Sequence, residues 1–214
     1  MNSCRWFLKI FTLIFGLLNL IAHDLAAQTE RLEPAYTENV FISTKLLNSQ
    51  TTNVLPKGGW QLIIEHRFGI IGTDSSIYNE FLGFDLPANI RLGAAFPISD
   101  RWYWGFGRTK VDKTIDLESK YLLLRQTDDN RNPVSVAGYV NFMLRTDPFP
   151  EEPPNSFFAD SLTAFEYKFS HKLSYNTQLI VSRKFGDRLS LQVAPVLIYE
   201  NLVEIGRENH TIAL

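Results

Sequence analysis

The chain has 214 residues and a formal net charge of −2. That length supports a single domain with a full core, and a charge so near zero leaves no electrostatic footprint for nucleic acid. The single cysteine, Cys4, sits in the opening segment, which excludes disulfides, thiol catalysis and cysteine metal sites from the remainder.

The opening segment reads as a targeting sequence. Arg5 and Lys9 make a basic start, and Ile10 to Ala22 is a nearly continuous apolar run of about 13 residues. Leu25-Ala26-Ala27 follows with small residues suited to signal cleavage. The run is short of the roughly 20 residues that a spanning helix needs. The expectation is an export signal over 1–27, with Gln28 first in the mature chain and 28–214 forming one β-barrel domain.

Beyond it the dominant hydrophobic period is two, the signature of strands rather than helices. In chain order the alternation predicts strands near 58–69, 88–98, 101–111, 114–126, 133–146, 172–185 and 188–201. A last one starts near 207, and an additional candidate covers 38–47. In 89–98, Ile90, Leu92, Ala94, Phe96 and Ile98 oppose Asn89, Arg91 and Gly93. In 133–145, Val134, Val136, Val140, Phe142 and Leu144 oppose Ser135, Tyr139 and Asn141. In 172–185, Leu173, Tyr175, Leu179 and Val181 oppose Ser174, Asn176, Gln178 and Ser182. These segments run to about 10–14 residues. Soluble strands average nearer 5 or 6, whereas about 9–11 tilted residues cross a bilayer.

Two tight turns share a pattern: Ser99-Asp100-Arg101 and Gly186-Asp187-Arg188. In an up-and-down arrangement both fall on one side, and the long connections 70–87 and 147–171 fall on the other. Outer-membrane barrels pair short periplasmic turns with longer outer loops. The short connection near Val111-Asp112-Lys113-Thr114 departs from that rule. Phe96, Trp102, Trp104 and Phe185 lie close to the two turns and are expected to form an interface girdle, with Arg101 and Arg188 at headgroup level. Alternation by itself does not say whether the apolar face points to lipid or to a core. A soluble lipocalin-like carrier of a lipid or isoprenoid therefore stays as the alternative. The placement of Phe142, Leu179 and Val193 discriminates the two.

The strings HRFG (66–69), GFD (83–85), NIRLG (89–93), DRWYWGFGR (100–108), KYLLLRQ (120–126) and SRKFGDRL (182–189) occur in order. Together they resemble a family of exported β-barrel proteins of Gram-negative, Bacteroidota-type bacteria for which no activity is established. The resemblance covers the chain from about Phe41 and implies an outer-membrane barrel without transferring any functional residue. Such barrels run on for several more strands. Against them, a chain stopping at His210-Thr211-Ile212-Ala213-Leu214 reads either as truncated at its C-terminus or as a small barrel that closes.

Glu65, Arg67 and Arg91, extended by Lys120 and Arg125, are expected to form a charge network in the lumen. In a small barrel such a network fills the interior; in a wider one it lines a pore. His66 shares parity with Trp60, Leu62, Ile64 and Phe68, and a lipid-facing histidine would suit a lipid hydrolase as a second alternative. Asp74 and Glu151-Glu152 stand in loops and would suit calcium or a surface partner, although solvated loops use the same residues. Gly105-Phe106-Gly107 lies inside a strand, where glycines mark a bend or close packing rather than a phosphate loop. No catalytic, cofactor or metal signature is present. The expectation is an all-β, antiparallel up-and-down barrel of about eight or more strands in the outer membrane of a Gram-negative bacterium. It would be a non-enzymatic pore or scaffold with no cofactor, whose partners are the lipid bilayer and other envelope proteins.

Overall fold

The alternation of apolar and polar residues is realised as long antiparallel strands in a computed structural model that describes residues 35–38, 40–47, 49–68, 88–151 and 165–214. The strands are β1 (Lys45–Leu46), β2 (Ser49–Gln50), β3 (Gln61–Arg67), β4 (Asn89–Ser99), β5 (Trp102–Thr109) and β6 (Ile115–Leu124). They continue as β7 (Ser135–Leu144), β8 (Leu173–Lys184), β9 (Ser190–Val193), β10 (Val196–Glu200) and β11 (His210–Ala213). Among the described residues no helix is long and apolar enough to cross a membrane.

β3 to β11 form one antiparallel sheet in the order β11-β10-β8-β7-β6-β5-β4-β3, with β9 also on β8. The sequence predicts a single strand over 188–201, and β9 and β10 are its two halves. Val181 faces Val193 and Gln178 faces Val196, so the register runs on unbroken. The ladder lapses at Ala194-Pro195 because proline has no N–H to donate, while the Pro195 carbonyl still accepts from Leu179 N at 3.1 Å. Sequential strands therefore neighbour one another throughout, in eight positions. β3 and β11 are the edges, and they do not pair with each other among the described residues.

The predicted strand over 38–47 is replaced by something smaller. Among its described residues only Lys45–Leu46 forms a strand, and it pairs with Ser49–Gln50 in a two-stranded ribbon separate from the main sheet. This stretch lacks a period-two pattern with a buried face to fix a longer strand.

Both repeated turns are present. At the first, the register shifts between Pro97 and Ser99, and the Asp100 carboxylate accepts from Lys57 N at 3.0 Å. At the second, Gly186 takes a positive φ of 77°, which glycine adopts without a Cβ penalty, and Phe185 N donates to Leu189 O at 2.7 Å. The long connection at 70–87 and most of 147–171 lie outside the described residues.

The two faces of the sheet are inverted relative to a soluble protein. One face carries Leu92, Phe106, Leu117, Phe142, Leu179 and Val193, each about half exposed. The other carries Asp116, Glu118, Lys120, Gln178 and Ser182, each 3% exposed or less. The buried apolar cluster is small: Leu122, Ala137, Tyr139 and Ile180, with Val54 packed against it.

Candidate functional site

The polar face is organised by residues two apart on successive strands, because alternate side chains share a face. Glu65 on β3 and Arg91 on β4 are directly opposed in the register, with 3.8 Å between Arg91 Nη1 and Glu65 Oε1. From there Arg91 reaches two strands further. Its Nε donates to Asp116 Oδ2 at 2.9 Å and its Nη2 to Asp116 Oδ1 at 2.5 Å, a two-pronged pairing that suits the guanidinium fork. Glu118 stands 3.5 Å from Nη2 and accepts the Tyr139 hydroxyl at 2.8 Å. Arg67 and Lys45 flank the other side of Glu65. The result is a chain of alternating charges across β3, β4 and β6, closed by a tyrosine from β7. Charges taken out of bulk water need such partners.

Glycines make this geometry reachable. A Cβ on Gly107 would stand 2.5–2.6 Å from the Arg91 guanidinium, and one on Gly93 would meet Phe106 O at 2.8 Å. The predicted close packing of the Gly105-Phe106-Gly107 stretch is thus the corridor through which Arg91 passes.

Beside the charge chain, residues 40–47 and 49–54 lie across the polar face as a strap. Its middle is buried: Gln50, Thr51 and Thr52 are 3%, 0% and 2% exposed. Every bond fixing the strap's middle to the sheet involves a side chain. Lys120 Nζ donates to Thr44 O and Thr51 O, both at 2.9 Å, and to Gln50 Oε1 at 3.3 Å. Tyr103 OH donates to Gln50 Oε1 at 3.1 Å, Gln50 N to Gln178 Oε1 at 3.2 Å, and Gln192 Nε2 to Gln50 O at 2.8 Å. The Thr52 and Ser182 hydroxyls are 2.5 Å apart, and Lys45 pairs with Glu65. A cavity of about 780 Å³ remains between strap and sheet, lined by Lys45, Gln50, Glu65, Arg91, Tyr139 and Gln192 among others.

The residues expected in the charge network therefore divide. Glu65, Arg67 and Arg91 come together. Lys120 is bound by the neutral acceptors of the strap instead. Arg125 stands apart, stacked 4.9 Å above the Tyr36 ring beside a smaller cavity with Val40, Thr52 and Leu122. The sequence did not assign Lys45, Tyr103, Asp116 or Glu118 to the network, and Tyr139 and Gln178 stood out only as polar-face positions of their strands. Asp116 and Glu118 had a visible signal, since they share parity with Lys120.

On the outer face, Phe96 and Trp104 face each other across β4 and β5 with ring centroids 5.5 Å apart. Phe106 extends the cluster, at 6.1 Å from Trp104. Trp102 is exposed and donates its indole N–H to Ser119 Oγ at 2.8 Å. Phe185 is exposed, with the Arg183 guanidinium 4.9 Å over its ring. Trp60, also exposed, precedes Gln61, which faces Ala95, and so reaches the same end. His66 is exposed on this apolar face, its ring 4.4 Å from Phe68. No hydrogen bond ties it to a serine among the described residues. Phe142, Leu179 and Val193 lie on the exposed face and line no enclosed cavity among the described residues. Glu151 is exposed, while Asp74, Glu152 and the GFD string at 83–85 lie outside the described residues.

At the opposite end, the Arg145 guanidinium donates to both Asp147 oxygens, at 2.9 and 3.3 Å, and holds that carboxyl below its ordinary range. Lys172 donates to Asp147 O at 2.6 Å and stands 4.5 Å over the Phe149 ring.

The family described as a membrane bound beta barrel domain (DUF5777) matches residues 41–214. No curated protein and no solved structure matches the chain.

Proposed function

The chain belongs to this family of membrane-bound β-barrel domains, and on that premise we propose that it is a non-enzymatic barrel of a Gram-negative outer membrane. It is exported by residues 1–27 and acts as a narrow pore or as a scaffold for other envelope proteins. The observation that carries this reading is the inverted burial. Lys120 is completely buried and Asp116 and Glu118 nearly so, while Leu117, Phe142 and Leu179 are about half exposed. A water-soluble carrier would put those leucines and phenylalanines around a cavity. A membrane barrel needs an apolar belt outside and tolerates a polar interior.

The two Asp-Arg turns belong on the periplasmic side in this reading, with the aromatic cluster of Phe96, Trp102 and Trp104 at that interface. Arg91, Glu65, Asp116 and Glu118 hold the interior together rather than perform chemistry, because each is engaged with another member of the set. The test is to express the chain with its signal in a Gram-negative host. Outer membranes are then extracted in detergent and the extract compared on a gel before and after boiling. A folded band that shifts on heating is expected in the outer-membrane fraction. A soluble periplasmic protein without a shift overturns the proposal.

A further inference from the structure

We propose that the strap of residues 40–47 and 49–54 is a displaceable plug, latched shut by Lys120, which must leave the polar face before the barrel conducts. This rests on the barrel reading above.

Three observations carry it. First, the buried middle of the strap is joined to the sheet without a backbone ladder. Its contacts run through Lys120, Tyr103, Gln178, Ser182 and Gln192. All of these are polar, and water satisfies such groups on both sides once they part; the apolar hold is confined to the strap's two ends, where Val40 is buried and Val54 packs on the Leu122 cluster. Second, the strap is internally bonded and can move as a unit. Thr51 N donates to Thr44 O at 3.0 Å, Thr51 Oγ1 to Ser43 O at 2.7 Å, and Asn53 Nδ2 to Phe41 O. Third, it has a hinge. Pro56-Lys57-Gly58-Gly59 connects it to β3, Gly58 has φ of 85°, and a Cβ there would meet nothing within 4 Å. Lys57 N is tied to Asp100 at the first Asp-Arg turn, which fixes the pivot at that end.

Lys120 is the latch because its acceptors all belong to the strap. Arg91 is held by carboxylates of the sheet itself. The Lys120 ammonium has no carboxylate within ion-pair distance among the described residues, and it draws Thr44 O, Thr51 O and Gln50 Oε1 onto one point. With the strap in place the remaining space is the cavity of about 780 Å³; with it withdrawn, that cavity is continuous with the strap's own volume.

The experiment uses the full chain in planar bilayers with potassium chloride as the conducted salt, in a Cys4→Ser background. Thr52→Cys with Ser182→Cys replaces two hydroxyls 2.5 Å apart, and Lys120→Met removes the latch without touching the strap. The cross-link is expected to form and to hold the protein closed. With Lys120 in place the reduced protein is expected to stay closed; in the Lys120→Met background, reducing the cross-link is expected to raise conductance about tenfold or more, the scale of losing even one of the three latch hydrogen bonds. The plug is overturned if the cross-link does not form. It is equally overturned if oxidised and reduced Lys120→Met proteins conduct alike while each shows the heat-shifted folded band. If no variant and no wild-type protein shows that band, it is the barrel reading that fails, and the plug with it.

Discussion

Arg91 reaches Asp116 only because Gly107 stands between them. Gly107 pairs with Gly93 on one side and with Asp116 on the other. Its missing side chain leaves the space the guanidinium fills, since a Cβ there would lie 2.5–2.6 Å away. Gly107→Ala should therefore push Arg91 off Asp116 and leave buried charges unpaired. The expected cost is about 3 kcal/mol or more, the scale of breaking a buried ion pair. Gly138→Ala is the matched control, because a Cβ there meets nothing within 4 Å; it should be neutral or stabilising by about 0.5 kcal/mol. Urea unfolding in detergent micelles measures both.

Tyr139→Phe tests the closing tyrosine. The substitution keeps the ring and removes only the hydroxyl that donates to Glu118 Oε2 at 2.8 Å. A carboxylate left without that donor should lower stability by about 1–3 kcal/mol. An unchanged unfolding midpoint would mean that water replaces the hydroxyl at no cost.

A charge on the outer face should be far worse than a charge on the polar face. Leu117 lies on β6 between Phe106 and Phe142 of the neighbouring strands. Leu117→Arg should cost about 2–4 kcal/mol in lipid, as for other lipid-facing positions at mid-depth. Asn141, by contrast, lines the interior cavity, and Asn141→Lys should fold to nearly the wild-type extent. The comparison is made by equilibrium folding into lipid vesicles.

At the end away from the Asp-Arg turns, pH has a defined direction. Hydrogen bonds from Arg145 hold the Asp147 carboxyl below its ordinary range. A carboxylate with a depressed folded pKa stabilises the fold above its unfolded value of about 3.9, and that contribution is lost as pH falls through the folded value. At pH 4, where a free aspartate is about half protonated, Asp147 should therefore be the more ionised of the two. Arg145→Gln should return it to the ordinary range. Carboxyl NMR titration in micelles reads both. Because Arg145 is half exposed, the stability change should be small.

The outer face was legible in the sequence because period-two alternation survives in one strand at a time: Ile90, Leu92 and Phe96 on β4 show it without knowledge of any neighbour. Among the described residues the eight positions of the main sheet were legible for the same reason, and Pro195 merely interrupts a strand whose register continues. The polar face was harder. Glu65 and Arg91 announce themselves as charges on adjacent strands, but the reach of Arg91 to Asp116 depends on Gly107, a position whose role appears only once three strands lie side by side. Lys120 and Arg125 read as one group along the chain. They part because the strap collects Lys120 through carbonyls about 70 residues away in sequence, and backbone carbonyls carry no sequence signal. The strap carries no sustained period, and the strand predicted over 38–47 shrinks to Lys45–Leu46 for that reason.

The most direct measurement of the central claim is lipid accessibility along β6. Single cysteines at 115 to 121, in a Cys4→Ser background, are spin-labelled in lipid vesicles and relaxed by oxygen, which partitions into the acyl region. Maxima are expected at 115, 117, 119 and 121 and minima at 116, 118 and 120, matching the exposed and buried alternation of Ile115 to Tyr121. The opposite phase, or a flat profile, would contradict the account, because either would mean that lipid does not cover the apolar face of this sheet.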